Sequence, residues 1–151
     1  MMDELIKRVC ANILTLMNSG LSEKFIEAIL KRLGSFGYTL KEDDSWAICF
    51  AVQKVENHIK NSCNVTSIPE ELFHIAVDKV CGEYLFAKKQ TGKLELSDLD
   101  LSGGAIKQIS EGDTTVSFAD GASDEEKFNT LVNFLINQGE GELVCFRKIK
   151  W

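Results

Sequence analysis

The chain has one proline in 151 residues, two histidines, and no pair of cysteines spaced as CxxC. No apolar run approaches the ~18 residues that a membrane span needs, which excludes a helical membrane anchor and leaves no membrane partner. No low-complexity tract interrupts it, and hydrophobic residues make up 44% against 26% charged, so a folded globular domain is expected and not a disordered chain. Nucleotide-binding and hydrolase signatures are missing as well: there is no P-loop, no GxGxxG and no GxSxG. Gly139-Glu140-Gly141 reads only as a flexible joint, and Glu125-Glu126 as acids at a helix start.

The remaining chemistry is thin. Cys10, Cys49, Cys63, Cys81 and Cys145 are odd in number. No apolar leader precedes them, so reduced thiols in a cytosolic compartment are expected, each acting as a small hydrophobe. Asn64-Val65-Thr66 is a glycosylation sequon with no role in that compartment. Cys63 and His74 lie within ligand spacing, but no second pair completes a zinc set. Nothing brackets a reactive thiol with His58 or His74. Asp98-Leu99-Asp100-Leu101-Ser102-Gly103 opens like a calcium loop. Its twelfth position is Ile109 where a bidentate Glu belongs, and Leu99 and Leu101 are apolar, so a turn-rich linker is the better reading. No catalytic residue, metal ligand or cofactor-binding residue is therefore assigned, and no cofactor is expected.

Charge adds a second exclusion. The net charge of −6 opposes tight phosphate binding, which needs clustered Lys and Arg. Its placement is uneven. Glu111 to Glu142 holds eight acids and one base, Lys127, whereas the last nine residues hold Arg147, Lys148 and Lys150 and no acid.

What is present is helical periodicity. Residues 1–151 read as one mainly α domain of about five helices, with a β-hairpin and an extended C-terminal strand or arm. Residues 1–90 form the helical core, 91–120 a turn-rich linker with the hairpin, and 121–151 the last helix and the arm. Helix one covers Asp3–Asn18 with Leu5, Val9, Ile13 and Leu16 as its stripe. Helix two, capped by Ser22, carries Phe25, Ile26, Ile29, Leu30 and Leu33 and ends near Gly34 and Gly37. Helix three follows Glu42-Asp43-Asp44 with Ile48, Val52, Val55 and Ile59 on one face, widened by Trp46, Cys49 and Phe50, and breaks at Asn61–Thr66. Helix four opens at Ser67-Ile68-Pro69-Glu70, with Glu70 closing a capping box. Its Phe73, Ala76, Val77, Val80, Cys81 and Tyr84 make a narrow stripe, best matched to helix three. Ile106–Ser110 and Thr114–Phe118 flank Glu111-Gly112-Asp113 as a hairpin. Ser123 and Glu126 cap a fifth helix with Phe128, Leu131, Val132 and Leu135, closed by Gly139. Glu142 to Trp151 alternates as a strand would.

Several stretches, taken in order, carry a resemblance. They are VENHIKNSCN at Val55–Asn64, IPEELFHIAVDKVCGEYL at Ile68–Leu85, KKQTGKL at Lys88–Leu94, IKQISEGDTTVSFA at Ile106–Ala119, and EGELVCFRKIKW at Glu140–Trp151. From Phe25 to Trp151 the chain resembles the head–tail connector (adaptor) proteins of tailed phages and of prophages in Gram-positive bacteria. The resemblance implies a structural protein of the virion neck, made in the host cytoplasm. It implies a homo-oligomeric ring, following the twelvefold portal, that continues the DNA channel without specific DNA binding and meets other neck or tail-completion proteins. It implies no catalytic residue. It points to Ile106, Ile109, Glu111, Gly112, Asp113, Thr114, Val116 and Phe118 as a contact with a neighbouring subunit. It points to Phe146, Arg147, Lys148, Ile149, Lys150 and Trp151 as a contact with the portal or an adjacent protomer. Two other classes compete: a cytosolic helical regulator that binds a protein or nucleic acid, and a small metal-dependent enzyme. A basic helix face would favour the first and a His/Cys ligand cluster the second.

Overall fold

The computed structural model describes residues 2–17, 23–99, 101 and 123–147. Among them are six α-helices: α1 (Met2–Met17), α2 (Glu23–Ser35), α3 (Ser45–Cys63), α4 (Phe73–Gln90), α5 (Asp124–Asn137) and α6 (Glu140–Cys145). No strand occurs among the described residues. The expected hairpin over 106–118 lies outside them, as do Ser22 and the side chains of Leu5, Ile13 and Leu16.

Helix α4 organises the rest. It packs against α2, α3 and α5, while α1 leans on α2 and α3, and α6 on α3. The expected narrow stripe is replaced by burial on all sides. Every residue from Ile75 to Gly82 is buried, followed by Tyr84 and Leu85. Eight successive buried residues cover more than two turns, so the middle of α4 has no solvent face. Its most extensive partner is α5, not the expected α3.

Local chemistry sets the helix ends. Helix α2 buries the five residues its spacing selects, and Tyr38 N–H bonds back to the Leu33 carbonyl at 3.3 Å to close it. The following stretch buries Phe36, Tyr38 and Leu40 in alternation. A 3-10 turn, Glu42–Asp44, then leads into α3. Helix α3 runs past the expected break at Asn61, because Cys63 is buried, and stops at Asn64 with φ 54°. A second 3-10 turn, Glu70–Leu72, follows Pro69, so α4 starts at Phe73, later than the capping-box pattern suggested. At α5 the expected cap is present: Ser123 Oγ accepts the Glu126 N–H at 3.2 Å.

Two glycines are required by their surroundings. A Cβ on Gly82 would lie 2.8 Å from Leu135 Cβ and 3.0 Å from the Ile136 backbone nitrogen, so its absence lets α4 and α5 touch. Gly139 has φ 73°, and a Cβ there would meet Ile75 at 2.6 Å. This joint turns the chain from α5 into α6. The expected strand from Glu142 is therefore corrected: Glu140–Cys145 is helical, Leu143 is buried, and Phe146 packs half-buried on the core. One inward residue per turn suffices for a six-residue helix, and its sequence mimics alternation.

Gly82→Ala is expected to lower unfolding free energy by about 1–3 kcal/mol, because backbone must move to admit the methyl group. Gly34→Ala, with nothing within 4 Å of its new Cβ, should instead leave stability unchanged or raise it by about 0.5 kcal/mol. Urea denaturation of the two variants checks the pair.

Candidate functional site

The α4 charges Asp78, Lys79, Glu83 and Lys88 are held in pairs with its neighbours. Arg32 Nε donates to Asp78 Oδ1 at 2.9 Å, with its guanidinium 4.9 Å from the Phe36 ring centroid. Burial raises the Asp78 pKa, and Arg32 only partly offsets it. Lys79 is 2% exposed, and its ammonium donates to the Ile136 carbonyl at 2.7 Å and to Glu140 Oε1. Lys54 Nζ reaches Glu83 Oε2 at 3.0 Å.

The most enclosed set joins the start of α3 to the end of α4. Tyr38 OH donates to Asp44 Oδ2 at 2.7 Å. Its one proton is thereby used, so its oxygen accepts from Tyr84 OH at 2.7 Å and from Lys88 Nζ at 2.9 Å. Lys88 also donates to Asp44 Oδ1 at 2.8 Å, and the Lys41 backbone N–H to Oδ2 at 2.9 Å. Burial alone would raise the Asp44 pKa; the bonds from Lys88, Tyr38 and Lys41 outweigh it and hold the carboxyl below its ordinary value. Burial would lower that of Lys88, and Asp44 and Tyr38 together raise it. The set is an enclosed clamp in which both hydroxyl protons and two of the three Lys88 protons are taken up.

The thiols are equally committed. Cys10, Cys63 and Cys81 point S–H groups at the carbonyls of Glu23, Leu143 and Ile29. Burial pushes the Cys10 pKa up to about 11, helped by Glu23 and Glu27, and raises those of Cys49, Cys63 and Cys81. Such thiols are poor nucleophiles at neutral pH. Cys145 alone among the five is exposed. Both histidines lie at the surface, and His58 Nε2 is 2.9 Å from Glu140 Oε1. No group of three or more His, Cys, Asp or Glu that could hold a metal ion occurs among the described residues. Leu99 and Leu101 are buried, and Asp98 accepts the Glu95 backbone N–H at 3.2 Å, so these residues form a packed turn.

Surface features suited to docking are of two kinds. A groove of 780 Å³ lies between the starts of α2 and α4, floored by Phe25, Phe73 and Ile68 and rimmed by Lys24, Lys60 and His74. Elsewhere apolar side chains stand in solvent. Trp46 and Phe50, expected to widen the buried face of α3, are instead 61% and 64% exposed, with ring centroids 6.1 Å apart. Phe86 and Val144 are exposed as well. Helix α3 buries Ile48, Cys49, Ala51 and Val52, and positions 46 and 50 fall on the opposite side.

Of the contact residues that the sequence suggested, Phe146 and Arg147 are described. Phe146 is half-buried, and Arg147 is exposed with its N–H on the Val144 carbonyl at 3.2 Å. Ile106, Ile109, Glu111, Gly112, Asp113, Thr114, Val116, Phe118, Lys148, Ile149, Lys150 and Trp151 lie outside the described residues. The sequence did not single out Asp78, Lys79 or Tyr38, whose partners Arg32, Glu140 and Tyr84 are 46 to 61 positions away. Comparison of the chain with protein-family models, curated proteins and solved structures gives no match.

Glu140 ties α6 to the bundle. Burial raises its pKa, but the Lys79 and His58 bonds prevail and bring it below its ordinary 4.5. A depressed carboxylate stabilises the native state above the unfolded pKa and loses that contribution as pH falls through the native one. Asp44 behaves likewise from its ordinary 3.8. The Asp44→Asn/Glu140→Gln variant should therefore lose less stability than wild type on acidification from pH 5 to pH 2. Glu140→Ala at pH 7 should cost about 2 kcal/mol, since the buried Lys79 ammonium keeps only a carbonyl. Denaturant titrations at each pH measure both effects.

Proposed function

We propose that the chain is a structural assembly protein, a head–tail connector of a tailed phage or prophage. It would form a ring on the portal and continue the DNA channel toward the tail. The observation that carries this reading is the ordered set of segments from Val55 to Trp151 that resembles the connector family. The geometry is compatible with it. The buried charges Asp44, Asp78 and Lys79 are used in internal pairs, described buried thiols are neutral, and apolar side chains at Trp46, Phe50, Phe86 and Val144 remain available for contact.

A ring needs a heterologous interface, in which one patch of a subunit meets a different patch of the next. Acid-rich Glu111–Glu142 and the basic end from Arg147 are unlike surfaces on one chain. A net charge of −6 lets DNA pass without strong phosphate binding. The protein would act in the virion neck after synthesis in the host cytoplasm. No described helix is long and apolar enough to cross a membrane.

Replacing Arg147, Lys148 and Lys150 together with Ala should weaken association with the purified portal of the same genome at least tenfold while leaving the helical circular-dichroism signal intact. Unchanged association, read by co-sedimentation, removes the C-terminal end from the interface. Absence of any wild-type association with that portal removes the connector reading itself.

A further inference from the structure

The exposed aromatic pair lies at the start of α3, and the described chain leaves α6 near the other end of that helix. Glu140 lies beside His58 and Leu143 beside Cys63, so α6 runs in the same direction as α3 and carries the chain past its C-terminus. Trp46 lies roughly 26 Å back along the helix from Cys63, at 1.5 Å per residue. Fully stretched, residues 146–151 span about 20–22 Å. They cannot extend to Trp46 of their own chain, and so cannot cover both rings there.

The two surfaces are nevertheless complementary. Trp46 and Phe50 offer two open ring faces on a rigid helix. By sequence, the turn ahead of them carries Glu42 and Asp43 against Lys41, a net negative charge, since Asp44 is already matched by Lys88. The residues from Phe146 to Trp151 combine two aromatic rings with Arg147, Lys148 and Lys150. Cations over an indole face, and aromatic side chains beside it, gain from contact that water does not provide.

Resting on the connector reading, we infer that the Trp46–Phe50 face of α3 receives residues 146–151 of a second copy of this chain. A patch at one end of a helix that accepts a segment leaving the other end makes a head-to-tail contact. Repeated around a closed rotation, it gives a ring.

Two chains, each with one surface thiol, test this. Wild type offers Cys145, one residue before the docked segment, and its other four cysteines are buried. A tagged Gln53→Cys/Cys145→Ser chain offers a thiol beside the aromatic pair, at an exposed position. The mixture, assembled with or without portal and treated with a short bismaleimide, should give a product containing both chains. Trp46→Ala/Phe50→Ala in the tagged chain should reduce that product at least fivefold at unchanged circular dichroism and melting temperature. Assembly by mass with no mixed product, or one indifferent to the aromatic pair, overturns this contact and leaves the connector reading standing. No assembly in any arm, portal included, overturns both.

Discussion

Burial of the middle of α4, from Ile75 to Gly82, is the constraint from which the rest of the fold follows. A charge buried there cannot be left unmatched, because a buried ion without a partner costs several kcal/mol. Four charged residues of α4 are each met by a different element. Asp78 is matched from α2 by Arg32, Lys79 from the α5–α6 joint by Ile136 and Glu140, Glu83 from α3 by Lys54, and Lys88 from the turn before α3 by Asp44. Each pair fixes where its neighbour can sit. The bare Gly82 sets how closely α5 approaches, and the left-handed Gly139 sets where α6 departs. The polar contacts thus specify the arrangement, while the apolar contacts supply most of the stabilisation.

This economy has a functional side. The buried polar groups of α4 hold the bundle together. The Tyr38, Asp44, Tyr84 and Lys88 set would attract notice as a catalytic cluster from its residue types. Its geometry is that of an enclosed clamp: both tyrosine hydroxyl protons and two of the Lys88 protons have acceptors within the set, and Tyr84 and Asp44 are almost fully buried. What the described residues present outward includes apolar side chains, at Trp46 and Phe50 on α3, Phe86 on α4 and Val144 on α6.

The helices were legible where burial follows one stripe. Phe25, Ile26, Ile29, Leu30 and Leu33 on α2, and Phe128, Leu131, Val132 and Leu135 on α5, are buried as their spacing indicates, and Ser123 caps as its side chain suggests. Periodicity failed at α4, because a pattern rule sends Asp78 and Lys79 to solvent and cannot see partners far along the chain. It failed at α3 for the opposite reason. Trp46 and Phe50 count as core by hydrophobicity alone, yet lie opposite Ile48, Cys49 and Val52. It failed at Glu140–Cys145 because six residues with one buried position fit helix and strand equally. Of the suggested contact residues, Phe146 and Arg147 are described, one half-buried and one exposed.

The central claim is that this chain works by repetition, as many copies around one portal. Native mass spectrometry of the complex formed with that portal counts them directly. A complete ring following the portal's twelvefold symmetry, with no smaller complex persisting at saturation, is the predicted result. A single copy per portal, or saturation at a few scattered copies, would contradict it.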